Sequence, residues 1–251
     1  MSKTDSFSPD LSDIPAASWD NLTQKKIYMG HRSVGNNIIE GLRDLKRENP
    51  KIRLNIVDLK DKPALGDGCF AHSWIVQNAS PQSLAENYFR LADEIVGEGF
   101  DIALIRFTPF YDNRKMKDIL IDYEYAFNKL KQIYPKTIFI HGTFPLTHSK
   151  TTWRTWIKKL VGKKEMWEYD DNIKVNEFNE MIRKRYLRKE PFLDIAALQS
   201  TSPDGSRSTF QKDGKTYFHM VKDYTYDGVH LNETGRKKIA KHFLFLLSNL
   251  I

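Results

Sequence analysis

The sequence predicts an α/β protein, a three-layer α/β/α sandwich built on a five-stranded parallel sheet. Three observations carry that expectation. Five short apolar stretches are each followed by a segment of helical periodicity, the pattern of parallel strands joined by right-handed crossover helices. Asp101 to Phe107 (DIALIRF) is a continuous apolar run, as expected of a central strand covered on both faces. The 251 residues, 40% hydrophobic and 28% charged, suffice for one domain with a full core and are a tight fit for two.

Taken in order, residues 1–24 read as a polar leader that packs at most through Trp19 and Leu22. Ile27, Tyr28 and Met29 form a short apolar strand running into Gly30-His31-Arg32-Ser33-Val34-Gly35, after which Ile38, Ile39 and Leu42 mark the inner face of a helix reaching Glu48 and stopping at Asn49-Pro50. Ile52 to Leu59 alternates and is β-branched, so it is expected to be the second strand. Lys60 to Ser80 has no clear period and reads as a long functional loop. A helix over Pro81 to Val96, opened by proline and closed by Gly97 and Gly99, leads to the central strand. A third helix covers Met116 to Ile133, the fourth strand Thr137 to His141, a fourth helix Asp171 to Leu187 and the fifth strand Phe192 to Ala196. Lys212-Asp213-Gly214-Lys215 is a hairpin turn signal within Ser200 to Tyr217, and a last helix runs from Glu233 to Leu250. Residues 25–251 are therefore read as one domain, carrying a basic insertion at 150–169.

Composition narrows the function classes. No run of about 18 apolar residues occurs, so no membrane-spanning helix is expected. The first twenty residues carry Asp5, Asp10, Asp13 and Asp20 without an apolar core, unlike a secretory signal peptide; the expectation is a cytoplasmic protein, or one exported with a leader outside this sequence. Cys69 is the one cysteine, which rules out an internal disulfide and reads as a packed thiol. The net charge of +7 concentrates in Lys150 to Lys164 and Arg183 to Lys189. In the first of these, Trp153, Trp156, Ile157, Leu160 and Val161 share one helical face opposite Lys and Arg. That is the pattern of a packed amphipathic lid; a helix resting on anionic lipid, or a wall for an anionic glycan, would use the same residues. Nucleic-acid binding has charge but no motif behind it. His72 and His141 lack companions at ligand spacing, so no metal site is expected.

Two distant blocks carry chemistry. Ser33 lies at the turn between the first strand and its helix, where backbone N–H groups and the helix dipole stabilise negative charge. A serine N-cap is the ordinary reason for this residue there. Near the other end of the chain, Tyr226-Asp227-Gly228-Val229-His230-Leu231-Asn232 precedes the last helix. An Asp and a His three residues apart in such a position supply an oriented imidazole base for a serine at the same sheet end. Ser33, the 66–78 loop, 108–113, 141–148 and 227–230 all fall at the carboxyl ends of the predicted strands, where ligands bind in such sheets.

The early serine block, the late Asp-x-x-His block and the α/β alternation between them resemble the SGNH (GDSL-type) hydrolase superfamily over roughly Lys25 to Leu247. The first block is Gly-His-Arg-Ser rather than Gly-Asp-Ser, so the chain looks like a divergent branch with a Gly-His-x-Ser-Val-Gly signature, and the usual Gly-x-Asn-Asp is absent. The resemblance implies Ser33 as nucleophile, His230 as general base and acid, and Asp227 as its orienting carboxylate. The Ser33 N–H is the first choice of oxyanion donor. Asn78 is the second, with helix capping before Pro81 as its other reading, and Asn113 and the Gly66 or Gly68 N–H stand behind it. His31, Tyr111, Asp112 and Trp74 are expected around the pocket. The implied activity is hydrolysis of small acyl esters, O-acetyl groups on a carbohydrate above all, through an acyl-serine and without a cofactor. Transfer of the acyl group to a sugar hydroxyl uses the same residues. Two other readings remain: a non-catalytic glycan-binding or polysaccharide-assembly protein on the same fold, and a peripheral membrane lipase or thioesterase contacting lipid through 150–164.

Overall fold

The computed structural model describes residues 9–61, 68–74, 100–105, 115–148 and 169–251. The expected helix over 81–96, residues 150–168 of the insertion, Gly66, Asn78, Tyr111, Asp112 and Asn113 lie outside the described residues. A six-stranded parallel sheet forms the middle layer: β1 (Lys26–His31), β2 (Ile56–Asp58), β3 (Cys69–Trp74), β4 (Ile102–Ile105), β5 (Ile138–Gly142) and β6 (Phe192–Leu193). Their order is β2-β3-β1-β4-β5-β6. Helix α1 (Ala16–Leu22) precedes the sheet, α2 (Ser33–Glu48) follows β1, α3 (Met116–Ile133) precedes β5, α4 (Tyr169–Tyr186) and the short α5 (Ile195–Ser200) flank β6, and α6 (Glu233–Ser248) closes the chain.

The strand count corrects the expectation of five. Cys69–Trp74 lies within the stretch read as loop, yet it is a strand paired with β1 on one side and β2 on the other. Alternation is missing from Cys-Phe-Ala-His because all four are buried: an inner parallel strand is covered on both faces and needs no polar side. Burial raises the Cys69 thiol pKa, as fits a packed side chain. Two other strands are shorter than expected. Ile52 and Leu54 are buried but only Ile56–Asp58 pairs, at the sheet edge. The fifth expected strand ends at Leu193, because the Asp194 side chain accepts the Ala197 N–H and starts α5 instead. The predicted hairpin is present as β7 (Thr209–Lys212) and β8 (Lys215–Phe218), with Asp213 and Gly214 at φ 51° and 74° in its two-residue turn.

Helices α2 and α6 cover one face of the sheet and α3 with α4 the other. Gly41 of α2 lets the two helices of the first layer meet: a Cβ there would lie 2.5 Å from the Arg236 carbonyl oxygen of α6. The segment before β1 adds Leu11 and Ile14 to the core beside Trp19 and Leu22. No described helix is long and apolar enough to cross a membrane.

Candidate active site at the carboxyl end of the sheet

Strand β1 is central, and the chain leaves it to β2 on one side and later returns to β4 on the other. Such a reversal opens a crevice at the carboxyl end of the strand. Ser33 follows there as the first residue of α2, partly buried. The first helical amides have no partner within a helix, and here the ladder begins with the Asn36 N–H donating to the Arg32 carbonyl at 2.8 Å. The N–H groups around Ser33 therefore point out of the helix end with the positive end of its dipole.

Asp227 and His230 are paired. His230 Nδ1 lies 2.6 Å from Asp227 Oδ2, while Asp227 Oδ1 accepts the backbone N–H groups of Val229 and His230, each at 2.8 Å. Burial alone would raise the Asp227 pKa, but the His230 ring and the two amides outweigh it and hold the carboxyl below its ordinary range. An ionised Asp227 only accepts, so the proton between them sits on His230 Nδ1, and in the neutral tautomer this selects, Nε2 is the free acceptor. Thr225 completes the turn, its hydroxyl donating to the His230 carbonyl at 2.7 Å and accepting the Gly228 N–H at 2.8 Å. Gly228 has φ 96°, a conformation side chains disfavour, and its carbonyl accepts the His148 N–H at 2.7 Å.

The two blocks, far apart in sequence, are joined through Asn37. Its side-chain oxygen accepts the Leu231 N–H at 3.0 Å, directly after His230. Asn37 sits four residues beyond Ser33, one turn along the same face of α2. Below it, Arg236 of α6 donates through Nε to the buried Asp44 of α2 at 2.6 Å, and Lys237 pairs with Glu48. α2 and α6 thus run side by side in the same direction, and Asn37, one turn after Ser33, is bonded to the residue that follows His230.

Under the serine turn lies a second pair that the sequence reading did not connect. His31 and His72 are both buried, with His31 Nε2 3.0 Å from His72 Nδ1. Arg43 of α2 donates to His72 Nε2 at 3.3 Å, so neutral His72 has its proton on Nδ1 and gives it to His31 Nε2. His31 in turn donates through Nδ1 to the Arg32 carbonyl at 3.2 Å. Desolvation lowers the His72 pKa to about 4, with Asp58 working against it, so His72 is neutral around pH 7. His31 therefore supports the turn from beneath, and Gly35 is what admits it: a Cβ at Gly35 would fall 2.3 Å from that of His31. Trp74 meets His31 edge-on, with ring centroids 5.9 Å apart, and is 57% exposed on the rim.

The strand-to-helix segment after β5 was expected near the site, and buried amides hold it there. Asn179 accepts the Phe144 N–H and donates to the Phe144 carbonyl, and Asn172 does the same for Thr147. Gln199 accepts the Leu146 N–H. This extended run delivers His148 to the back of the Asp227 turn. The Asn172, Asn176, Asn179 spacing on one helical face was the legible signal for it. Tyr226, also not singled out, lies over His230 with rings 15° from parallel and centroids 6.0 Å apart. His141 is turned away from the site, buried between Tyr123, Tyr186 and Glu190. Among the described residues no cluster of three or more His, Cys, Asp and Glu side chains could hold a metal ion.

No protein-family model and no curated protein sequence matches this chain. Solved structures do. A Streptococcus pneumonia protein proposed to be a platelet activating factor superposes with a TM-score of 0.54 at 13% identity, over 92% of this chain and 90% of its own. A proposed acylhydrolase from Bacteroides fragilis has a TM-score of 0.48 at 12% identity, covering 96% and 99%. The periplasmic domain of a lipopolysaccharide acetyltransferase from Salmonella ser. Paratyphi A also reaches 0.48 at 12%, covering 92% and 86%. A proposed lipolytic protein of the G-D-S-L family and a proposed GDSL-like lipase are among the further matches. At such identities the likeness is one of fold: the chain shares the α/β/α fold of the Streptococcus pneumonia structure.

Proposed function

We propose that the protein is a serine esterase that removes small acyl groups, O-acetyl groups on a carbohydrate in particular. The observation that carries this reading is the Asp227–His230 pair, together with the Asn37 bond that ties α2, the helix Ser33 opens, to the residue after His230. In the proposed reaction Ser33 Oγ attacks the acyl carbonyl and His230 Nε2 takes its proton. Amides at the start of α2, the Ser33 N–H among them, receive the developing oxyanion. The imidazolium, stabilised by ionised Asp227, then protonates the leaving alcohol. Water attacks the acyl-serine with His230 again as base, and the carboxylic acid leaves. A sugar hydroxyl in place of that water would make the same site an acyltransferase.

Hydrolysis of p-nitrophenyl acetate, butyrate and octanoate by wild type, Ser33→Ala and His230→Ala tests the proposal. The expected result is loss of kcat by about 10³-fold or more in both variants, with unchanged circular dichroism, and a preference for the acetyl ester. Equal activity in the three proteins would remove Ser33 as nucleophile.

A further inference from the structure

Beside the Asp227 turn lies a groove of about 360 Å³ lined by His148, Lys222, Asp223, Thr225, Tyr226 and Gly228, together with Asn232. That volume is at the small end of ligand pockets, which run from about 300 to 1,000 Å³. Four features of its wall define a ligand. His148 Nδ1 lies 2.9 Å from the Met220 carbonyl oxygen, which can only accept, so the proton is on Nδ1 and Nε2 is an acceptor with no hydrogen-bond partner among the described residues. The Lys222 ammonium supplies donors and the Asp223 carboxylate acceptors, and neither forms an ion pair among the described residues. Tyr226 has one ring face over His230 and is 69% exposed, leaving the other face open to solvent.

We propose that this groove is a substrate subsite beside the Asp227–His230 pair, and that it takes one or two rings of a neutral carbohydrate adjoining the esterified one. This rests on the esterase reading for its place in the reaction. A sugar hydroxyl both donates and accepts, which matches an unpaired imidazole nitrogen, an ammonium and a carboxylate within one small cleft. The C–H face of a pyranose ring matches the open face of a tyrosine. One cation beside one anion favours a ligand without net charge. Tyr226 borders both the groove and His230, so rings resting here lie one tyrosine ring away from the imidazole and hold a neighbouring, esterified ring of the same chain beside the catalytic pair. Binding energy from the rings then goes into orienting the ester.

The test is direct binding, independent of turnover. Saturation-transfer NMR and titration calorimetry are run with xylotriose and with the N-acetylglucosamine trisaccharide on wild type, Ser33→Ala, Tyr226→Ala, Tyr226→Phe and Lys222→Ala. Tyr226 and Lys222 are exposed, so their truncation leaves the core untouched. The expected result is binding of at least one trisaccharide by wild type and Ser33→Ala, weakened tenfold or more in Tyr226→Ala and severalfold in Lys222→Ala, and retained in Tyr226→Phe. Absence of binding in wild type, or equal binding in all five proteins, would overturn the subsite. Loss of ester turnover in Ser33→Ala is scored separately, so the subsite and the nucleophile stand or fall by different readings.

Discussion

At the scale of single residues, the site depends on side chains that never touch a substrate. Asn37 is the clearest. Replacing it with alanine leaves the Leu231 N–H buried and unpaired, at a cost of roughly 1–3 kcal/mol. It also frees the His230 turn to drift from Ser33. Asn37→Ala is expected to lower kcat on p-nitrophenyl acetate at least tenfold, more than it changes KM, because misplacement by about 1 Å is enough to cost that much. Steady-state kinetics and urea unfolding check the two halves of that statement. Gly35→Ala carries a different penalty. Its added methyl meets the His31 Cβ at 2.3 Å, so either β1 or the start of α2 must shift, and both activity and melting temperature are expected to fall. If the His31 Cβ is the cause, His31→Gly, the one change that removes that atom, should cost less in the Gly35→Ala background than alone, since neighbouring changes of this kind do not add.

Among the elements, α4 is unusual in facing the sheet layer with amides rather than only hydrocarbon. Val175, Phe178 and Ile182 supply core, while Asn172, Asn176 and Asn179 each grip one residue's N–H and C=O on a neighbouring segment. They satisfy backbone that would otherwise lack partners, Asn172 and Asn179 after β5 ends and Asn176 at Phe218, the end of β8. Asn179→Ala orphans the Phe144 N–H and C=O together and is expected to destabilise by roughly 2–4 kcal/mol, readable as a lower urea midpoint with unchanged slope. Asn179→Asp keeps the acceptor for the N–H but sets a carboxylate oxygen against the carbonyl, so it should not rescue. Asn172→Ala is expected to add a catalytic effect, because Thr147 precedes the residue that fixes Gly228.

For the whole molecule, buried neutral histidines tie stability to pH. His141 is wholly buried, hydrogen-bonded to Tyr123 at 2.7 Å and Glu190 at 3.0 Å and stacked on Tyr186. Desolvation, aided by Lys131 and opposed by Glu190, lowers its pKa from 6.5 to about 4. The unfolded chain takes up this proton first, so the stability is full above about pH 6.5, declines as the pH falls, and levels off below about 4. At 1.36 kcal/mol per pH unit the contribution is on the order of 3 kcal/mol at most. His72 acts in the same direction. So do Asp194, Glu190 and Asp227, whose carboxyls are held low and lose their stabilising charge on acidification. Unfolding free energy is therefore expected to decrease steadily from pH 7 to pH 4. His141→Gln should flatten part of that slope while lowering stability at pH 7.

Local pattern alone determined the α/β/α class, the helices α2, α3, α4 and α6 and the β7–β8 hairpin, because apolar periodicity, turn residues and caps act over a few residues. It also marked Ser33, Asp227 and His230, since a serine after a first strand and an Asp-x-x-His before a last helix are themselves local signals. Strand β3 was not legible, as a strand buried on both faces loses the alternation that reveals it. The pairing of His31 with His72, the Asn37 bridge, the amide face of α4 and the Tyr226 groove were decided by the tertiary structure. Each depends on which strands become neighbours and how α2 and α6 align, and a contact between residues 37 and 231 leaves no trace in the periodicity of either segment.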